Sequence, residues 1–330
     1  MAIYKIRAGF AERAMDSSTL PSTFVITVPA TTANIGPGFD CLGAALSRYN
    51  RFRFQRGGAA DLTIEATGLG AQQVSLQGDN LLYQAFVKVY QHLGEVPPPV
   101  TIQVEMDVPL ARGLGSSATA IVGGIVGGNA LAGFPLADQA LLQLAIEMEG
   151  HPDNVVPAFL GGCQLTTANP RQTEFPWTIC DLPWHDRIIP VVAIPDVELS
   201  TAVARQVLPR QYDRADAIFN MAHLGLLLRG LDQGRSEWLR TALDDRIHQP
   251  YRKALIPGFE ALETAALAAG AYGVVISGAG PTVLALVDRD YQESVTLALE
   301  QVWQSLGIHG TVQPLALDRS GVTIETSSVD

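Results

Sequence analysis

Residues 113–137 run for 25 positions without a charged side chain, and a glycine–serine knot, GLGSSA, stands at the mouth of the run. The stretch is long enough to span a bilayer. It is nevertheless crowded with Gly, Ala, Ser and Thr, interrupted by Asn129 and Pro135, and poor in Leu, Ile and Phe. Its transfer into lipid would therefore gain little per residue. A small-residue helix packed tightly inside a soluble domain accounts for it better. Ahead of the knot, residues 100–107 alternate without fault. Val100, Ile102, Val104 and Met106 share one face, and Thr101, Gln103, Glu105 and Asp107 the other, as in a half-buried strand. The knot joins a strand to a buried helix.

At 330 residues, 47% hydrophobic and 17% charged, the chain can build one large core or two ordinary ones. A formal net charge of −11 argues against a nucleic-acid coat but leaves room for a local anion site. Cys41, Cys163 and Cys180 are far apart and form no CxxC pair, so neither a disulfide framework nor a zinc site is indicated. The six histidines show no HxH or HExxH spacing either. A reduced, cytoplasmic setting fits. Residues 1–22 lack the apolar core of a signal peptide and read as a flexible N-terminal extension.

Strand signals cover 22–30, 50–55 and 61–67, with a loop rich in turn residues over 31–46. Leu82, Ala85, Phe86, Val89 and Tyr90 predict a helix over 79–94, capped by Asp79 and ended by Gly94. Further helices start near Ser116 and cover 135–149. Over 169–186 prolines, tryptophans and mixed polarity break all periodicity, which divides the chain into domains of 23–180 and 181–330. Beyond the break, strands at 187–195, 273–277, 283–287 and 310–317 intermix with helices at 200–207, 213–231, 256–269 and 290–306. The class is α/β or α+β.

The knot itself allows three readings. Gly113 and Gly115 let the backbone turn and let an anion come close. The helix behind them offers unpaired N–H groups and a positive dipole end, which suits a phosphate. GLGSSA also matches GxGxxA, a variant dinucleotide fingerprint, but Asp138, at the distance of the strand-end acid that motif wants, sits between two helical patterns, in a first turn. A ligand-free capping turn is the third. It is not a Walker A loop, for no GK[ST] is present.

Several stretches, in order along the chain, resemble the GHMP family of small-molecule kinases. PLARGLGSSATA is similar to its phosphate loop and SGAGPTVLAL to its third, glycine-rich motif. VPATTANIGPGFDCLGAAL, EGHPDNVVPAFLGG and STAVARQVLP resemble the forms carried by the homoserine kinase branch. The resemblance implies an α+β fold of two domains, ribosomal-protein-S5-domain-2-like and then ferredoxin-like, with the active site in the cleft between them. It implies ATP and Mg²⁺ as cofactors and phosphorylation of the L-homoserine hydroxyl to O-phospho-L-homoserine, on the route to threonine. A homodimer is common in the branch. Mevalonate-kinase-like activity and a non-catalytic ligand sensor are the alternatives.

By this resemblance the nucleotide is held by Pro109, Leu110, Ala111, Arg112, Gly113, Leu114, Gly115, Ser116, Ser117 and Ala118, with Asn80 near the adenine. Ser117 and Glu149 hold the metal, with Glu147 as the other candidate. Asp153 is the acid beside the attacking hydroxyl. Asn34, Asp40, Asp153, Thr201, Arg205, Arg252 and Gly278 bind the amino acid. Such a zwitterion needs a carboxylate for its ammonium and cations for its carboxylate. Thr201 and Arg205, four apart, share a helix face, and an arginine fork suits a carboxylate. Arg246 could substitute for Arg252. The bland readings are turn chemistry for Asn34 and Asp40 and solvated surface for the arginines. His151, with no partner at ligand spacing, reads as structural.

Overall fold

A computed structural model describes residues 3–5, 21–58 and 60–326. The charge-free run folds as helix α2 (Ser116–Leu131), which is buried along almost its whole length. It is clasped between strand β3 (Leu42–Arg56) of a large sheet and helix α1 (Leu81–Leu93). A Cβ at Gly124 would strike the carbonyl of Leu82 on α1, and one at Gly127 the ring of Phe54 on β3. The small residues are there to let both neighbours approach. Among the described residues no helix is long and apolar enough to cross a membrane.

The large sheet also contains β1 (Ile3–Lys5), β2 (Thr23–Ala33), β4 (Leu62–Gly68), β5 (Val100–Met106), β6 (Cys163–Ala168), β7 (Trp177–Leu182) and β12 (Thr323–Thr326). Its order is β1-β12-β2-β3-β5-β4, with β6 pairing β3 and β7 pairing β6. Only β4 and β5 run parallel, joined through α1. Helices α3 (Asp138–Glu149) and α4 (Pro152–Leu160) complete the layer of helices.

Several boundaries differ from the sequence reading. The loop expected over 31–46 is half strand: β2 continues to Ala33 and β3 begins at Leu42. Helix α1 is capped by Asn80 rather than Asp79, the Asn80 side chain accepting from the Tyr83 N–H at 3.2 Å. Helix α4 escapes the periodicity because Pro152 opens it and Pro157 lies inside it. Strand β7 lies within the stretch where the pattern breaks, as a half-exposed edge of the first sheet. Of the N-terminal extension, Ile3–Lys5 pair with β12, and residues 1–2 and 6–20 lie outside the described residues.

The second sheet is β11 (Gly310–Pro314), β8 (Ile188–Pro195), β10 (Val283–Asp288) and β9 (Gly273–Ile276), in that order and antiparallel throughout. Helices α9 (Phe259–Ala268) and α10 (Gln292–Leu306) pack on one face around Phe259, Leu262, Leu299 and Trp303. This is the βαββαβ, ferredoxin-like arrangement. Between β8 and α9 come α5 (Thr201–Gln206), α6 (Arg214–Gln233), α7 (Ser236–Ala242) and α8 (Gln249–Arg252). The second face of this sheet, with α6 and α7, shares one apolar cluster with Ala30, Leu42 and Leu46 of the first sheet. That common core fixes the cleft between the domains. Strand β12, which the division at residue 180 assigns to the second domain, returns to the first sheet beside β2.

Candidate active site

The end of β2 is the junction of the site. The Thr31 hydroxyl donates to the Asn154 side chain at 2.9 Å, and the Thr31 N–H to the Leu114 carbonyl at 3.1 Å. The Ser277 hydroxyl lies 2.8 Å from the Thr32 hydroxyl and 2.6 Å from the Gly113 carbonyl. Asn34, at φ 58°, donates its amide to the Gly278 carbonyl at 2.9 Å and accepts from the Asp40 N–H at 2.7 Å. Four stretches far apart in sequence thus converge on one strand end: the glycine knot, HPDN, NIGPGFD and SGAGPT.

Gly115 caps α2 at φ 68° without any side-chain cap, so the first-turn N–H groups are left for a ligand. Gly113 and Gly115 are tight on the protein side. A Cβ at Gly113 would strike the Ser277 carbonyl, and one at Gly115 the Thr31 hydroxyl. In the first turn of α2 the Ser117 hydroxyl donates to Glu149 Oε2 at 2.7 Å. Burial raises the Glu149 pKa, opposed by the Ser117 hydrogen bond. Glu147 faces elsewhere, accepting from Gln143 at 2.9 Å and lying 3.7 Å from Lys88. Ser117 and Glu149 therefore form a pair of hard oxygen donors beside the knot, which fits a Mg²⁺ ion that keeps phosphate and water as its other ligands. No group of three or more His, Cys, Asp or Glu that could hold a metal ion is found among the described residues.

This pair lies on the wall of a cavity of about 230 Å³, whose wall also carries Asn34, Thr201, Arg205, Arg252 and Gly278. Arg205, on α5, forks onto Asp40 at 2.7 and 3.0 Å, and that hydrogen-bonded pairing raises its pKa. Arg252 is 1% exposed. It donates to the carbonyls of Ala204 at 3.1 Å and Gly278 at 3.2 Å, and no carboxylate lies within ion-pair distance among the described residues. Burial first, and then the Arg205 charge, lower its pKa. A buried cation without a counter-anion is costly unless a ligand supplies one. Arg246 is occupied on the surface by Asp216 at 3.3 Å.

Asp153 is 1% exposed and is absent from the cavity wall. Its Oδ1 lies 2.6 Å from His151 Nδ1, and its Oδ2 has no partner among the described residues. His151 does line the cavity. Burial lowers its pKa, but the hydrogen bond and charge of Asp153 outweigh this and leave it raised. The structural reading of His151 thus misses its place on the wall.

Of the other expected nucleotide contacts, Ala111, Arg112, Gly113, Gly115 and Ser116 reach this cavity. Asn80 and Leu110 line an adjoining, mostly apolar cavity of about 340 Å³, together with Ala111, Ser116 and Ser117. Pro109 lines a separate recess beside Arg48 and Gly70. Leu114 and Ala118 turn fully into the core. Asp40 is held at the site through Arg205 rather than on the cavity wall. Asp138 opens α3 instead of ending a strand, so the dinucleotide reading loses its acid. Asn154 and Ser200, also on the wall, are not singled out by the sequence reading. Their signal lies in HPDN and STAVARQVLP, where it points to neighbouring residues.

The family profile for the GHMP kinases N terminal domain matches residues 80–162, and that for GHMP kinases C terminal matches residues 227–305. The homoserine kinase of Microchaete diplosiphon is 59% identical over 302 residues, covering 92% of this chain and 97% of that protein. A crystal structure of homoserine kinase from Cytophaga hutchinsonii superposes with a TM-score of 0.81 at 27% identity, covering 96% of this chain and all of that one. A putative homoserine kinase from Listeria monocytogenes gives a TM-score of 0.71 at 28% identity over 92% of this chain.

Proposed function

The chain belongs to the homoserine kinases, a branch of the GHMP kinase family, and is an ATP-dependent kinase of threonine biosynthesis; from that premise we propose how its cleft transfers the γ-phosphoryl group of ATP to the hydroxyl of L-homoserine. The adenine takes the apolar cavity beside Asn80. The phosphates lie along Gly113–Ser117 against the α2 N-terminus. Arg205 and Arg252 receive the carboxylate of the amino acid, Asp40 its ammonium, and Asn34, Thr201 and Gly278 complete that end. Ser117 and Glu149 would hold Mg²⁺, which would supply charge neutralisation for the phosphoryl oxygens.

Such a transfer passes through a loose transition state and needs positioning more than an early base. The two ends of the cleft set the substrate hydroxyl against the phosphate. His151, backed by Asp153, takes the hydroxyl proton late, and the Asp153 carboxylate balances the charge that then rests on the imidazole. The observation that carries this reading is the 2.7 Å Ser117–Glu149 contact in the same cavity as the anion-free Arg252. A coupled assay with ATP and Mg²⁺ tests it. L-homoserine should turn over, mevalonate and galactose should not, and chelation of the metal should stop the reaction. Turnover of mevalonate in place of L-homoserine would overturn the substrate assignment. The reading includes a cytoplasmic setting, in keeping with three free thiols, and a homodimer, which light scattering checks.

A further inference from the structure

Phe39 lies in the NIGPGFD loop and has no part in the reading above. Its ring is the common neighbour of both arginines. The guanidinium carbon of Arg252 stands 5.0 Å from the ring centroid and that of Arg205 5.7 Å. Both lie within the roughly 6 Å at which a ring face attracts a cation. The imidazole of His248 stacks on the same ring, with centroids 5.1 Å apart and planes 20° apart. His248 is fully buried, and its Nε2 lies 2.9 Å from the Gly36 carbonyl, so the residue that stacks on Phe39 also holds Phe39's own loop.

The Arg205 charge opposes the Arg252 charge, so the two guanidinium groups repel each other. The Asp40 carboxylate pairs with Arg205 and makes no ion pair with Arg252 among the described residues. An aromatic face attracts both cations and neutralises neither. Arg205 keeps Asp40 as its partner, and among the described residues Arg252 has two carbonyls and this ring. We propose that Phe39 is a positioning residue whose ring holds Arg205 and Arg252 together as one clamp for the substrate carboxylate. The proposal rests on the reading of the two arginines as the carboxylate site.

The test compares Phe39→Leu and Phe39→Tyr in the full chain, with L-homoserine and with L-homoserine amide, which lacks the carboxylate charge. Phe39→Leu should raise the KM for L-homoserine about tenfold and leave kcat, the KM for ATP and the constant for the amide, as substrate or competitive inhibitor, nearly unchanged. Phe39→Tyr, which keeps the ring, should stay near wild type. On an Arg252→Met background, Phe39→Leu should add little, because the clamp is already broken. Equal losses for L-homoserine and its amide, an unchanged KM, or full multiplication of the two substitutions would overturn the platform. An Arg252→Met protein with an unchanged KM for L-homoserine would instead remove the carboxylate reading beneath it.

Discussion

At the end of the cleft assigned to the phosphates, the contacts come from backbone: two glycines at positive φ, the uncapped start of α2, and one serine–glutamate pair. At the end assigned to the amino acid they come from charge and ring: Asp40, Arg205, Arg252 and Phe39. Phosphate is the same in every nucleotide, and a fixed row of N–H groups suffices to hold it. An amino acid must be told from other small alcohols by where its charges sit, and only side chains can be placed for that. The first end should therefore fail when atoms are added or its one carboxylate is neutralised, and the second when charges are removed.

The largest effect should come from the one side chain on which the phosphate end depends. Glu149→Gln should lower kcat by roughly 10²–10³, the worth of several kcal/mol of metal stabilisation. The same change should stabilise the fold near pH 7. Burial raises the Glu149 pKa above its ordinary 4.5, so the native state keeps a proton that the unfolded state has lost. Stability falls as pH rises through that window and stays lower above it. The variant's gain should appear in melts at neutral pH and vanish in acid. A variant that loses activity but gains no neutral-pH stability would deny Glu149 its desolvation.

Next in size, Gly115→Ala adds a single methyl group where φ is 68° and Thr31 already fills the space. It should cost about 3 kcal/mol by chemical denaturation. Thr31→Ala in the same chain should recover part of that loss. No recovery would mean that strain, rather than the collision, dominates.

At the other end, Arg252→Met should raise the KM for L-homoserine by about 10², and Arg205→Met by about tenfold, each with the KM for ATP held. The inequality follows from burial, since Arg205 is half-exposed and shares its charge with Asp40. Steady-state kinetics would reveal a reversed order.

The smallest effect sharpens the boundary between the two ends. Asp153→Asn should lower kcat about tenfold and lower the His151 pKa, since burial and the Arg205 charge would then be opposed by the Glu149 charge without Asp153. The His151–Asp153 pair stabilises the fold below the ordinary histidine pKa and loses that contribution as pH rises through the raised one. The variant should thus be weakened more at pH 6 than at pH 8. A proton NMR titration of His151 reads the shift directly.

The contrast between the ends also decides what a sequence can show. Backbone recognition is written in glycine and serine spacing, so the knot is legible in the amino-acid order alone. Arg205 and Thr201 are legible because a helix puts residues four apart on one face. The preference for Glu149 over Glu147 comes from the resemblance, in which the glutamate directly precedes the glycine, while the contact with Ser117 depends on how α3 is rotated. The Asp40–Arg205 pair joins positions 165 residues apart, and no local pattern reports such a distance. His151 reads as structural because its partner is only two residues away, where no ligand spacing applies. Helix α4 is hidden by its own prolines, and β3 begins inside a segment whose glycines and single proline, Pro37, read as loop.

The return of β12 to the first sheet bears on how the molecule is made. Phe24–Thr27 of β2 pair with a strand that the ribosome delivers only after the whole second domain. During synthesis that edge of the first sheet stays open, an exposed ladder of the kind that recruits other chains. A fragment ending near residue 180 would keep the exposed edge permanently. The first domain, though contiguous over most of its length, should therefore be a poor candidate for separate expression, and a nascent chain stalled in the second domain should be the form that chaperones retain.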